Sequence, residues 1–531
     1  MYVALFYSVT NETQGALRPD SHINGAFSLA DEAGPLLVSG SVLRGNSATR
    51  AGGAIEAVEG DTTLIETRVI ENATGAEPGN GGGLHLTGTG TVSVRLKSRS
   101  SLLVGYDAVD TPESDRDTVN LWVRPRLTLE FPKAKGIKGL QCIVDIDDAL
   151  HLGVKQAALN VTLDQLVDWR ADSGRFSRQV DGETVCFHSG YVEHIDSQLK
   201  RLTDAGVVNS LIIYNRIPGS RGGSPLVHPG TDLAKSPFHV GAFNLATEEG
   251  VRTYRGAIEF LADRYSDPRR EHGLAKRFII GNEIQSHWHW YNLGEMPQRQ
   301  VVEEYHRALR VAHLAAHSIH PGIQLFISLD HHWSAQMGEN TLHGMSGKCF
   351  VETLNTIAKA EGNFDWHVAF HPYPENLFNP RTWEDAAATP SFDAAKITFK
   401  NIEMLPAFLR QERFLHNSKA RRVILSEQGF HSPDGKNGER DQAAAYAYSY
   451  YRVQQTEGID AFILHRHVDH PGEGGLRLGL RSSRDGGVRP IYDVFRQADT
   501  AAWPEAFKFA LPVIGVKSWP DTLSSNPPKA E

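Results

Sequence analysis

From residue 136 onward, short apolar and β-branched runs alternate with longer stretches whose apolar positions recur at helical spacing. The runs that read as strands are GLQCIVD (139–145), VKQAALNV (154–161), NSLIIY (209–214), RFIIGNE (277–283), IQLFIS (323–328), DWHVAFH (365–371), RVILSE (422–427) and DAFILHR (460–466). Helix-period stretches lie at 191–205, 248–265, 300–317, 350–361 and 442–455. Eight strands, most followed by a helix, predict an α/β protein with one (β/α)8 TIM barrel over 136–522. The first strand–helix unit is short. An open doubly wound sheet is the alternative. No GxGxxG or GxxxxGK[ST] loop follows any strand, which argues against a phosphate-cradling nucleotide site.

The first hundred residues follow another pattern. Short β runs return every 26–30 residues: Ala26-Phe27-Ser28-Leu29, Ala54-Ile55-Glu56-Ala57, Gly83-Leu84-His85-Leu86. Glycine and asparagine clusters such as Gly45-Asn46 and Gly81-Gly82-Gly83 separate them. Such corners tolerate left-handed backbone, so 1–100 reads as a small β-solenoid-like all-β segment resembling parallel β-helix repeats. An irregular glycine-rich β-sandwich is the alternative. No titratable cluster falls there, and no catalysis is assigned to it. Residues 101–135 read as a connecting stretch, the segment from Trp503 as a final helical cap, and 523–531 as a disordered tail.

Composition sharpens this division. Length divided by roughly 150 suggests three domains, but one large barrel absorbs most of the 531 residues. All nine tryptophans lie at or after Trp122, and only His22 and His85 of 24 histidines precede residue 150. The chemistry is therefore expected in the barrel. A net charge of −9 argues against a nucleic-acid partner. No apolar run is long enough to span a bilayer. Cys142, Cys186 and Cys349 form neither a disulfide framework nor a metal knuckle. The N-terminus shows no ordinary signal peptide, although export or a cell-surface location is kept as an expectation. Nothing in the sequence fixes an oligomeric state.

Barrel chemistry collects where strands end. Polar residues do cluster there: Asn160; Tyr214, Asn215 and Arg216; Asn282 and Glu283, then Trp288 and Trp290; Asp330, His331, His332 and Trp333; His371 and Tyr373; Glu427; and His465, Arg466 and His467. Glu283 and Glu427 each follow an apolar strand with no intervening turn, as rigid placement of a carboxylate requires. Two carboxyls converging across a barrel mouth suit glycoside cleavage. Glu283 would need a raised pKa to donate a proton, and Glu427 would need hydrogen-bond donors to remain an anion, with Tyr373 as one source. Asn282 is placed to hold a sugar hydroxyl. His371 either bonds near Glu427 or is a satisfied core histidine. Trp288, Trp290 and Trp333 are candidate stacking platforms, with ordinary core packing as the alternative.

Asn-Glu ending the fourth strand, His-x-Tyr ending the sixth and Glu ending the seventh resemble clan A retaining glycoside hydrolases. That resemblance implies Glu283 as acid/base and Glu427 as nucleophile. Stretches such as FIIGNEIQSHWHWYNLGEM, DWHVAFHPYPENLFNPRTW and AFILHRHVDHPGEGGLRLGL resemble, more closely, a bacterial family of glycosidase-like barrels long listed as a domain of unknown function. The clan resemblance implies a carbohydrate partner, the closer family matches supply no substrate, and no cofactor is expected. Two positions depart from the clan. Asn160 stands where an arginine is usual, and His465-Arg466-His467 where a tryptophan is frequent. Arg466 or Arg216 would suit an acidic sugar. Two other functions are kept. The pairs His287/His289 and His465/His467 have the spacing for a metal-dependent hydrolase. A barrel that binds glycan at the cell surface without cleaving it is the other.

Overall fold

The computed structural model describes residues 130–217 and 224–523, and before them only the backbone of short strands between Phe27 and Arg95. Those strands pair in parallel: Phe27–Leu29 with Ile55–Val58 and that with Leu84–Thr87, and Leu36–Ser39 with Thr62–Ile65 and that with Val92–Arg95. The segments joining them lie outside the described residues, and with them the solenoid reading of 1–100, most of 101–135, and residues 524–531.

From Lys138 the chain forms eight parallel strands. They are β1 (Lys138–Gln141), β2 (Gln156–Thr162), β3 (Val208–Arg216), β4 (Arg277–Ile280), β5 (Gln324–Asp330), β6 (Trp366–His371), β7 (Val423–Leu425) and β8 (Ile459–Leu464). The hydrogen-bonded order β2-β1-β8-β7-β6-β5-β4-β3 closes through β2–β3, so no parallel edge is left open. The protein is a (β/α)8 barrel. The main outer helices are α1 (Ile146–His151), α2 (Ser189–Asp204), α3 (Glu248–Tyr265), α4 (Gln298–His317), α5 (Gly347–Ala360), α6 (Gly438–Gln454) and α7 (Pro490–Gln497). No helix among the described residues is long and apolar enough to cross a membrane.

The barrel interior is filled, not open. Ala158, Ile212, Ile279, Phe326, Ala369, Ile424, Ala461 and Ile463 form one packed layer, small side chains making room for Phe326. Gly139 is required on β1, because a Cβ there would sit 2.7 Å from Ile463 Cγ1. The bottom is sealed by polar groups: Gln156 Nε2 donates to Gly136 O and Asp460 O, and Arg277 donates to Gln156 Oε1. The opposite end therefore has a solid floor on which a site can be built.

Three strands end sooner than their apolar runs suggest. β1 stops at Gln141 because Cys142 turns left-handed, at φ +50°. β4 stops at Ile280, before Gly281 at +79° and Glu283 at +40°. β7 stops at Leu425, next to a register shift against β8. Glu283 thus stands on a left-handed bend just past its strand, which corrects the expectation of no intervening turn there, whereas Glu427 follows β7 after Ser426 alone, whose N–H still donates to Phe370 O on β6.

Candidate active site

The turn after β4 is built to aim one side chain. Gly281 must be glycine, since a Cβ at its φ of +79° would meet Ile284 Cδ1 at 2.4 Å. Glu283 itself occupies the left-handed region, a conformation that costs a non-glycine residue about 1–2 kcal/mol. Its N–H donates to Ser328 Oγ on β5 at 3.0 Å, which fixes the turn. The carboxylate then meets His371 at the end of β6, with Oε1 2.8 Å from Nδ1. His371 Nε2 lies 3.1 Å from Ser426 Oγ. Both partners are buried.

Glu427, half-buried, faces the same space from β7. Tyr373 donates its hydroxyl to Oε1 at 3.1 Å, and Gln141 Nε2 donates to Oε2 at 3.4 Å. Ligand atoms of Glu283, His371 and Glu427 all lie within 4.8 Å of one another. The two carboxyls are therefore close enough to act on one bond.

Their environments differ in sign. Burial pushes Glu283 up to about 7, against the pull of His371 and with help from the nearby Asp330 and Glu427 charges. Burial also raises Glu427, but the charges of His465 and His371 and the bonds from Tyr373 and Gln141 outweigh it and hold the carboxyl below its usual range. Burial lowers His371, yet the bond to Glu283 and the Glu427 charge leave it raised. Tyr373 is held far above the usual phenol range by burial and the Glu427 charge, so it stays a donor.

A cationic chain stands behind Glu427. His465 Nδ1 lies 3.2 Å from Gln141 Oε1, and Nε2 3.3 Å from Glu473 Oε1. Burial opposes its charge, but Glu427, Cys142 and Glu473 override this and raise it to about 10. The sequence Glu473–His465–Gln141–Glu427 thus alternates charge and dipole.

Residues 130–522 match the profile of a family of unknown function, DUF5722. The chain belongs to that family. No curated protein matches it. Among solved structures, a family 39 glycoside hydrolase from Bacteroides cellulosilyticus WH2 superposes with a TM-score of 0.44 at 14% identity, over 68% of this chain and 63% of that one. A β-glucosidase from Pyrococcus furiosus gives 0.45 at 15%, over 70% and 86%. The exo-β-1,4-mannosidase Op5Man5 from Opitutaceae bacterium strain TAV5 gives 0.41 at 14%, over 72% and 63%. The barrel of this DUF5722 protein rests on its own strand order.

The other sequence-predicted residues divide into those near the carboxylates and those that build loops. Asn282 is half-buried in the turn before Glu283. Asn160 is exposed at the end of β2 and accepts from Gln141 Nε2 at 3.4 Å. Asp330 accepts from Ser286 Oγ and from His332 N and Nδ1; burial alone would raise it, but His332 holds it near 2. Burial drives His331 down to about 3, so it is neutral, with Nδ1 against Tyr373 O and Nε2 against Lys396 Nζ. Tyr214 packs on the barrel layer, and burial lifts its hydroxyl to about 12. Trp290 is half-buried with Phe238 stacked on it at 4.2 Å.

Several candidates are corrected by where they sit. Trp333 is fully buried; its Nε1 donates to Phe392 O and its edge meets Phe408, so it is a core residue and no platform. Trp288 is also buried, flat against His343. Asn215 is buried and donates to Leu226 O, tying down the loop after β3. His467 is buried on Asp148, bracing β8 to α1. Arg466 is paired with Glu473 at 2.5 Å, the carboxylate that also meets His465, and Arg216 is exposed at the end of β3. His287/His289 and His465/His467 do not form a metal-ligating group among the described residues; the group found is Glu283, His371 and Glu427.

Sequence reasoning gives no role to Gln141, Glu473 or Ser328, and places Ser426 only among the polar residues that end the seventh strand. Gln141 was hidden because the apolar run was drawn through to 145, which placed it mid-strand. Glu473 lies eight residues past His465, and no pattern in the intervening loop marks the bend that returns it to the imidazole.

Proposed function

We propose that this DUF5722 protein is a glycoside hydrolase that cleaves a poly- or oligosaccharide with net retention. The observation that supports this most is the close pair of carboxyls held in opposite states, Glu283 raised and Glu427 lowered. Retaining enzymes keep their two carboxyls about 5–5.5 Å apart, whereas inverting ones leave room for a water between them. The contact distance here suits the former.

In the first step a Glu427 oxygen attacks the anomeric carbon and the bond to the leaving oxygen breaks. Glu283 gives that oxygen its proton. With His371 Nδ1–H donating to Glu283 Oε1, the proton sits on Oε2, free to move to the leaving group. In the second step water attacks the same carbon, its proton passes to Glu283, and Glu427 leaves. Tyr373 and Gln141 hold Glu427 in line, and Asn282 holds a hydroxyl beside the cleaved bond, where a strengthening hydrogen bond lowers the barrier.

A screen across aryl glycosides and polysaccharides tests the reading, with Glu427→Ala as control. Turnover with the first-formed sugar in the substrate's own anomeric configuration is expected. Turnover that survives Glu427→Ala, or an inverted product, would refute it. Turnover abolished by chelation would instead favour a metal held by Glu283, His371 and Glu427.

A further inference from the structure

Exposed apolar side chains are distributed on one end of the barrel. Among the described residues, every exposed large hydrophobic except Leu523 lies on a loop that follows a barrel strand. Val144, Phe238, Leu342, Phe378 and Val488 come from the loops after β1, β3, β5, β6 and β8. Scattered apolar residues need no explanation, but a set confined to the face that holds the carboxylates does.

Two of them are aromatic and are tied to the carboxylate pair by short lengths of chain. Phe238 is 49% exposed and lies flat on Trp290, ring centroids 4.2 Å apart and planes 6° apart. Trp290 belongs to the same loop as Glu283. Phe378 is 52% exposed and meets His431 edge-on at 5.2 Å. Phe378 shares its loop with Tyr373, and His431 shares its loop with Glu427. In the closed strand order, the loops after β3 and β4 are separated from those after β6 and β7 on both sides. The two aromatic stations thus stand on different sides of the barrel mouth, each including a residue from a loop that also carries one of the carboxylates.

We infer that the mouth binds an extended polysaccharide chain, seated on Phe238–Trp290 at one side of Glu283 and Glu427 and on Phe378 at the other. The sugar class rests on the hydrolytic reading above; the two stations rest on geometry. A pyranose ring has an apolar C–H face that stacks on an aromatic ring and a polar edge that needs hydrogen bonds. Polar groups at the strand ends can supply the second: Asn160, Asn282 and His332 are all partly or fully exposed.

Affinity electrophoresis of the full chain carrying Glu427→Ala tests this, in gels containing mixed-linkage β-glucan, xylan, β-mannan or polygalacturonate. At least one polymer should retard the protein. Phe238→Ala and Phe378→Ala should each weaken that retardation about 5-fold or more, Phe238→Tyr should preserve it, and Leu523→Ala should leave it unchanged. Retardation by none of the polymers, or retardation unaffected by both phenylalanine changes, overturns the inference. The two readings fail separately. Retardation lost with Phe238 in a protein that hydrolyses nothing removes the hydrolytic reading alone. Hydrolysis by the parent with platform-independent binding removes this one alone.

Discussion

His465→Gln should move the acid limb of the pH–activity profile while leaving the basic limb in place. Glutamine can still bond to Gln141 and Glu473, so the change removes charge more than shape. The His465 charge is the largest influence opposing burial in keeping Glu427 ionised, and it acts across one amide. Two hydrogen bonds and that amide put the charges roughly 7 Å apart, and at an effective dielectric near 20 this is about 2 kcal/mol. At 1.36 kcal/mol per unit, the Glu427 pKa should rise by about 1.5 units. A nucleophile must be ionised, so the lower inflection of kcat/KM moves up by that amount. The upper inflection, set by loss of the Glu283 proton near pH 7, should stay. The assay is kcat/KM against pH on the glycoside the parent turns over fastest, with a thermal melt to check folding. An unmoved acid limb in a folded variant would show that His465 only braces Gln141, and a shift of the basic limb would mean the two carboxylates have been assigned in reverse.

Three further outcomes are expected. Glu283→Gln should cost about 10²–10⁴-fold in kcat on substrates with poor leaving groups and far less on activated aryl glycosides, as a kinetic comparison of the two would show. Tyr373→Phe removes a hydrogen bond to a charged group, worth about 1.5–3 kcal/mol, so kcat/KM should fall roughly 10- to 100-fold with the melting temperature nearly unchanged. Trp333→Ala should do the reverse: a loss of about 3–5 kcal/mol in denaturant unfolding, with KM of the surviving folded fraction unaltered.

The barrel was legible because its signal is local. Each of the eight apolar runs became a strand, and the five helix-period stretches became α2 to α6 within a few residues at each end. Strand ends were read too late where backbone changed hand without warning in composition. RFIIGNE continues as an apolar and polar run, yet Gly281 and Glu283 turn left-handed within it. The hairpin of Phe176–Val180 with Glu183–Phe187 was also passed over, though Asp181-Gly182 between its strands is a strong local turn signal. Trp288 and Trp333 show the limit of residue type: an indole beside a barrel mouth can stack on a ligand or pack beneath a loop, and sequence does not separate the two.

By itself, the sequence determined the alternation of eight strands with helices and the polar residues at the strand ends, because strand and helix periods are properties of neighbouring residues; closure through β2–β3 was decided by the tertiary structure. Only the tertiary structure decided what those side chains do to one another. Cys142 and Gln141 are more than 300 residues from His465, yet Cys142 joins Glu427 and Glu473 in keeping His465 charged, and Gln141 bridges it to Glu427. The raised pKa of Glu283 comes from burial under loops contributed by other strands. Desolvation and Coulomb interaction depend on distance in space, and that distance exists only once the barrel has closed.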